Sequence, residues 1–350
     1  MKALVKYGIA DGDVEIRDIP DPSPQAGRVL IEADTVGVCG SDVHMWRNRQ
    51  SWPVSLPLVL GHEMAGRVVD TGGLPEFADG DRVVTETAQS VCGHCGYCLT
   101  GRYNHCPERR GYGALVDGAF SRYMSARPQI VHHIPDGVRA DHAALTEPAC
   151  VAYNALVERV RITSGDIVVI QGAGAIGVMA AQMARIAGAG VIVVIGTARD
   201  TARLQVAQAV GATHVVSLDT DDPEDTVRGL GDGLGAHVVV DATGASAALA
   251  QSLDLVRPLG VIAKVGWGPQ PLGFSLDPLV AKAVTLAGSF SHTWQTWERV
   301  LDLIATSALL LDPVIGGRYP LTAWAEAFGA MEDGRNVKSV ITGFAPASVT

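Results

Sequence analysis

The sequence predicts an α/β protein in which a doubly wound parallel sheet is inserted into a second, β-rich domain. Three observations carry that prediction. Short, wholly apolar runs alternate with helical patterns through the middle of the chain, as in a sheet covered on both faces. Short Val- and Ile-bearing runs broken by Gly, Pro and Asp fill the N-terminal part. A glycine-rich turn stands at the first strand–helix junction of the middle part.

At 350 residues the chain has room for two domains at about 150 residues each. Residues 1–153 read as the β-rich domain. Its opening, MKALVKYGIADGDVEIRDIP, alternates as a strand does and lacks the apolar core and small-residue cleavage site of a signal peptide. RVLIEADTVGVCG, HEMAGRVVDTG and DRVVTETA continue the pattern. Residues 154–289 read as the parallel sheet: the strand IVVIQG, the small-residue helix GAGAIGVMAAQMARIAGA, the strand VIVVIG, the helix ARLQVAQAVGA, then HVVSL and AHVVVDATG, a helix ALAQSLDLVRPLG, and the strand VIAKVGW. Residues 290–350 hold an amphipathic helix TWQTWERVLDLIATSA, a short strand near RYPL, a helix AWAEAFGAMEDG and a closing strand KSVITGF. This tail is expected to return and complete the first domain.

With 47% hydrophobic and 18% charged residues the chain can bury sizeable cores and is not disordered. A net charge of −10 without a Lys/Arg-rich run excludes a nucleic-acid partner. No apolar run approaches the ~20 residues a membrane-spanning helix needs. The six cysteines are clustered rather than spread as paired staples. Without an export signal this favours metal ligation over disulfides and a cytoplasmic location.

Cys92, Cys95, Cys98 and Cys106 stand as C-x2-C-x2-C-x7-C within residues 90–107. Thiolates at this density can close a tetrahedral zinc site, which braces a loop but leaves no open position for chemistry. Gly172-Ala173-Gly174-Ala175-Ile176-Gly177 follows a strand and opens a helix. Its first glycine permits the tight turn, its second lets backbone approach a pyrophosphate, and its third allows helix and strand to touch. The helix N-terminus offers free N–H groups to phosphate. After the second apolar strand comes Gly196-Thr197-Ala198-Arg199-Asp200, with no carboxylate directly at the strand end. Arg199 and Arg203 would tolerate a ribose 2′-phosphate, so NADP is favoured over NAD, with Asp200 the competing partner for a free ribose hydroxyl.

Outside the tetrad, Cys39 in GVCGSDVH, His62-Glu63 in LVLGHEMAG and Glu147 in LTEPAC occupy loop-like surroundings. Taken singly, Cys39 reads as a buried small hydrophobe, His62 as a strand-end histidine and each Glu as a surface charge. Together, sulfur, imidazole and carboxylate make a catalytic zinc set with an open position. Cys150 reads as packing on the helix after Glu147.

GHEMAGRVV, with CGSDVH before it and the cysteine loop, EPACVAYNAL and the glycine-rich turn after it, resembles the zinc-dependent medium-chain dehydrogenases, the alcohol, sorbitol and threonine dehydrogenase family. The resemblance covers essentially the whole chain. It implies a GroES-like catalytic domain with a Rossmann insert, two zinc ions per chain, NAD(P) as cofactor and a homodimer or homotetramer. Carried over by position, it implies Cys39 and His62 as ligands of the catalytic zinc and Glu63 and Glu147 as the two acids of the polyol branch. Ser41 would take the alcohol proton, His44 would pass it towards solvent, and Lys338 would contact the pyrophosphate. Met45, Trp46, Trp52, Phe290 and His292 are expected near the cleft, with Phe290 on the cofactor side. A secondary alcohol, vicinal diol or sugar-derived polyol is the implied substrate. An amino alcohol such as threonine, or a non-catalytic zinc and nucleotide sensor on the same fold, is the alternative.

Overall fold

The computed structural model describes residues 1–344. Ile167–Gln171 is buried along its whole length because strands flank it on both sides and helices cover both faces. It sits inside a six-stranded, all-parallel sheet ordered His214–Ser217, Val191–Gly196, Ile167–Gln171, Ala236–Asp241, Val256–Lys264, Thr285–Gly288. The order reverses between Ile167–Gln171 and Ala236–Asp241, so a crevice opens beyond their carboxyl ends. Gly172 and Ala242 are the first residues past those ends. One expectation is corrected here: the helix read over ALAQSLDLVRPLG stops at Leu255, and Val256–Lys264 is strand. Pro258 disfavours a helical Arg257, and the β-branched Val256 suits the sheet instead.

The β-rich part is built round Val29–Gly37, whose burial alternates over its first half. It pairs antiparallel with Glu63–Asp70, with Tyr123–Ala126 and with Lys338–Thr342. The last strand, which lies parallel to Ile315–Pro320, therefore closes a sheet begun some 300 residues earlier. That long return puts Lys338 beside Val38. The helix Thr146–Tyr153 runs straight into a π-turn, Asn154–Arg159, so the backbone stays helical past residue 153. Helix Trp294–Ala305 packs on it through the buried Trp297. Among the described residues, no helix is long and apolar enough to cross a membrane.

Candidate active site

Cys39 is not in a loop but is the N-cap of a short helix, Gly40–Trp46. Asp42, at the third helical position, accepts the Cys39 N–H at 2.9 Å and the Gly61 N–H at 3.2 Å. It is fully buried, with its Oδ1 3.9 Å from Nδ1 of His62. One carboxylate thus fixes the loops bearing both Cys39 and His62. Burial pushes the Asp42 carboxyl pKa up, against the opposing pull of His62 and the two backbone N–H groups. Asp42 was missed, although C-x-x-D has the spacing of a capping box. Gly61 turns the chain at φ 91°, and a Cβ there would meet the Phe120 ring at 2.8 Å. His62 follows, and Glu63 opens a strand.

Donor atoms of Cys39, His62 and Glu63 lie within 4.8 Å of one another. Sulfur, imidazole and carboxylate at that spacing fit a zinc ion. Glu147 is not in this group; it lies in the first turn of Thr146–Tyr153, where Oε1 accepts Nε2–H of His292 at 3.2 Å. The Trp297 Nε1–H in turn donates to His292 Nδ1 at 2.7 Å, which fixes the tautomer. Burial acts to raise the Glu147 pKa, but the His292 bond and the nearby His62 outweigh it and hold the pKa down.

Lys338 departs from expectation. Its ammonium donates to Glu63 Oε1 and Oε2 at 2.7 and 2.8 Å and to the Val38 carbonyl at 2.9 Å. An ammonium has three N–H bonds, so none is left for a pyrophosphate. Burial would lower its pKa, but the Glu63 carboxylate outweighs burial and raises it.

Ser41 presents a buried Oγ without a hydrogen-bond partner, the condition of a hydroxyl positioned for a group not yet present. His44 lies one helical turn further on, with Trp52 edge-on at a ring separation of 6.4 Å. Partial desolvation, then Arg49, lowers the His44 pKa below its usual 6.5. Trp52 meets Trp267 at 5.7 Å, and Trp267 meets Phe290 at 6.1 Å, an aromatic wall spanning both domains. Met45 and Trp46 are corrected: Met45 is buried core, and Trp46 packs on Trp324 and Phe328.

Cys39, His44 and Glu63 share one cavity of about 330 Å³ with Gly174, Ala175 and Ile176. Gly172 has φ 98°, and a Cβ on Gly177 would stand 1.8 Å from the Gly172 carbonyl. Nothing lies within 4 Å of where a Gly174 Cβ would be, and the helix Ala175–Ile186 starts without a side-chain cap. Open space before uncapped N–H groups fits a dinucleotide phosphate. Arg47 and Arg49 also line this cavity, two cations that sequence reasoning missed. Arg47 is held by Glu332 at 2.6 Å.

At the end of the second parallel strand, Asp200 is committed. Its Oδ2 accepts the Thr197 N–H and Oγ1–H at 3.1 and 2.8 Å, and its Oδ1 pairs with Arg203 at 3.0 Å. Arg203 is not the free guanidinium expected, because it also donates to the carbonyls of Asn336, at 2.9 Å, and Met331. Arg199 makes one bond, to the Glu332 carbonyl at 3.2 Å. Phe290 is 37% exposed, and its carbonyl accepts the Asn104 amide at 3.1 Å and the Asn154 amide at 3.4 Å.

The four tetrad sulfurs lie within 4.8 Å of one another and form no disulfide. Backbone N–H groups point at them: Cys95 N to Cys92 Sγ and Cys92 N to Cys106 Sγ, each 3.3 Å, and Cys98 N to Cys95 Sγ at 3.5 Å. Such N–H groups favour thiolate, so this loop fits a tetrahedral ion.

Comparison with known proteins agrees. Residues 25–136 match the alcohol dehydrogenase GroES-like domain, and residues 175–306 match the zinc-binding dehydrogenase family. The chain is 37% identical to a sorbitol dehydrogenase of Halalkalibacterium halodurans, over 98% of this chain and 99% of that one. It is 34% identical to a D-arabitol-phosphate dehydrogenase of Enterococcus avium, over 97% of each. Among solved structures, an NADP-bound zinc-binding dehydrogenase of Sinorhizobium meliloti superposes with a TM-score of 0.87 at 27% identity, covering 98% of this chain and 99% of that one. With its GroES-like domain, its inserted Rossmann sheet and its ligand cluster facing the nucleotide turn, this chain belongs to the zinc-type medium-chain alcohol dehydrogenase family.

Proposed function

We propose that this enzyme moves a hydride between a secondary alcohol of a sugar-derived polyol, or the matching ketone, and NAD(P). The observation that carries this reading is the shared cavity: Cys39, His44 and Glu63 face Gly174–Ile176 across one space. Zinc held by Cys39, His62 and Glu63 would polarise the substrate oxygen, and a nicotinamide would take up the hydride. The protein's own part is positional and acid–base. Ser41 Oγ, otherwise unbonded, accepts the alcohol proton and passes its own to His44, whose lowered pKa keeps the imidazole neutral and receptive at pH 7. Trp52, Trp267 and Phe290 stack edge-on from His44 outward and supply an apolar flank beside the proton relay. Burial raises the Glu63 pKa, and the Lys338 ammonium offsets part of that rise.

Two zinc ions per chain, one in each ligand cluster, follow from this reading. Preference for NADP is supported by Asp200, both of whose oxygens are occupied, beside the less committed Arg199. A homo-oligomer in the cytoplasm, with domains divided at about residues 153 and 289, belongs to the same proposal. The test is a 340 nm assay of polyols, diols and threonine with NAD⁺ and NADP⁺ side by side, together with zinc analysis. Expected are two zincs per chain and turnover of a polyol. One zinc and no turnover with any alcohol would overturn the reading.

A further inference from the structure

Resting on the dehydrogenase reading, we propose that Asn104, carried by the four-cysteine loop, is a positioning residue for the active site. It holds the segment Ser289–His292, which sets Phe290 in the aromatic run and His292 against Glu147. Asn104 stands two residues before Cys106, in the single helical turn Tyr103–His105. It is 5% exposed, and its Nδ2–H donates to the Phe290 carbonyl at 3.1 Å, 186 residues away in sequence. Its Oδ1 is buried without a partner, so the bond to Phe290 is what this amide has to gain from burial. Two further contacts join the same stretch of chain to the segment. The His105 ring lies 6.0 Å from that of Phe290, and Arg109, just past the last cysteine, donates to Ser291 Oγ at 3.5 Å.

The segment needs such a hold. Ser291 stands at φ 56°, in the left-handed region that a residue with a Cβ keeps only when its neighbours fix it. The segment leaves the parallel sheet at Ser289, whose N–H donates to the Lys264 carbonyl at 3.0 Å, and runs into the helix Trp294–Ala305. A second buried amide, Asn154, donates to the Ser291 carbonyl at 2.7 Å and to Ser289 Oγ at 3.2 Å. Two amides thus fix one segment: Asn154 belongs to the π-turn that continues the Glu147 helix, Asn104 to the cysteine loop. What the segment carries gives these bonds a consequence. Phe290 meets Trp267 at 6.1 Å, and His292 Nε2–H donates to Glu147 Oε1 at 3.2 Å. Without Asn104, the Phe290 carbonyl keeps only the longer bond to Asn154 at 3.4 Å. The strained turn then loosens, Phe290 and His292 shift with it, and turnover falls steeply with such displacements. A loop built to brace the fold thereby bears on the rate.

The test compares the zinc-loaded wild type with Asn104→Leu, which keeps the volume and removes the donor. Amide hydrogen exchange over residues 289–293, read by mass spectrometry, reports the hold, and kcat and KM for a polyol report the site. Expected is about five-fold faster exchange over 289–293 and a kcat lower by about the same factor, the scale of one lost hydrogen bond, with zinc content and cofactor KM unchanged. Leu99→Ala, at an exposed position of the same loop, should change neither. If the Leu variant fails to fold, Asn104→Ser, too short to reach Phe290, supplies the same two readouts. Wild-type exchange over 289–293 in the variant overturns the proposal, and so does faster exchange with an unaltered kcat. Absence of turnover by the wild type with any alcohol would instead sink the dehydrogenase reading, while the exchange comparison would still decide whether Asn104 holds the segment.

Discussion

Glu63 and Lys338 form a buried ion pair 275 residues apart in sequence, at the edge of the ligand cluster. Breaking one side of such a pair leaves a charge in low dielectric, which costs on the order of 3–5 kcal/mol. Lys338→Met should therefore destabilise the protein by about that much in urea unfolding, and pairing it with Glu63→Gln should recover part of the loss. A loss in the double variant equal to the sum of the two single-variant losses would show that the pair carries no coupling. The same contact explains why Lys338 was misread. A lysine in GRNVKSVIT looks like any surface cation, and only the pairing of its strand with Val29–Gly37 puts its amine against Glu63. Arg203 differs from expectation for a similar reason, since besides Asp200 it is held by two carbonyls about 130 residues away, invisible to local pattern.

Asp141 works at the scale of elements. It lies on the short helix Ala140–Ala143 and binds Arg139 at 2.8 Å and Arg318 Nε at 2.9 Å, the latter on strand Ile315–Pro320. Burial acts to raise its pKa, but the two arginines outweigh it and bring the carboxyl from 3.8 down to about 2. The folded pKa is depressed, so the pairing stabilises above pH ~4 and its contribution is lost as pH falls towards 2. Asp141→Asn should cost about 1 kcal/mol at pH 7, after solvent screening is allowed for, and nothing near pH 2. Urea unfolding across that range checks it, and a cost independent of pH would count against the ion-pair account. The other elements divide by their signals. Wholly apolar runs and the glycine turn were legible because sheet burial and helix–strand contact demand those residues. The helix Gly40–Trp46 was not, because at seven residues it has too little periodicity to read.

For the whole molecule, the joint between β-rich part and Rossmann sheet is carried by the C-terminal segment. Trp297 is the case in point: 1% exposed, packed into the core shared with Ile170 and Val178, and donating to the His292 that holds Glu147. Trp297→Ala should cost about 3–5 kcal/mol. Trp297→Phe should cost less in unfolding while leaving His292 Nδ1 unbonded, so its defect should show in kcat rather than in stability. Equal kcat for wild type and the Phe variant would mean that the Trp–His–Glu147 chain does not tune the site.

Taken alone, the sequence determined the fold class, the cysteine loop and the nucleotide turn. Each rests on short spacings within one segment, where a few residues suffice for a turn or a ligand set. Tertiary structure decided which charges are spent on which partners: Lys338 on Glu63, Asp200 on Thr197 and Arg203, His292 on Glu147. The physical reason is that a charge is defined by its partners, and in this protein most of those partners arrive from strands and helices far away along the chain.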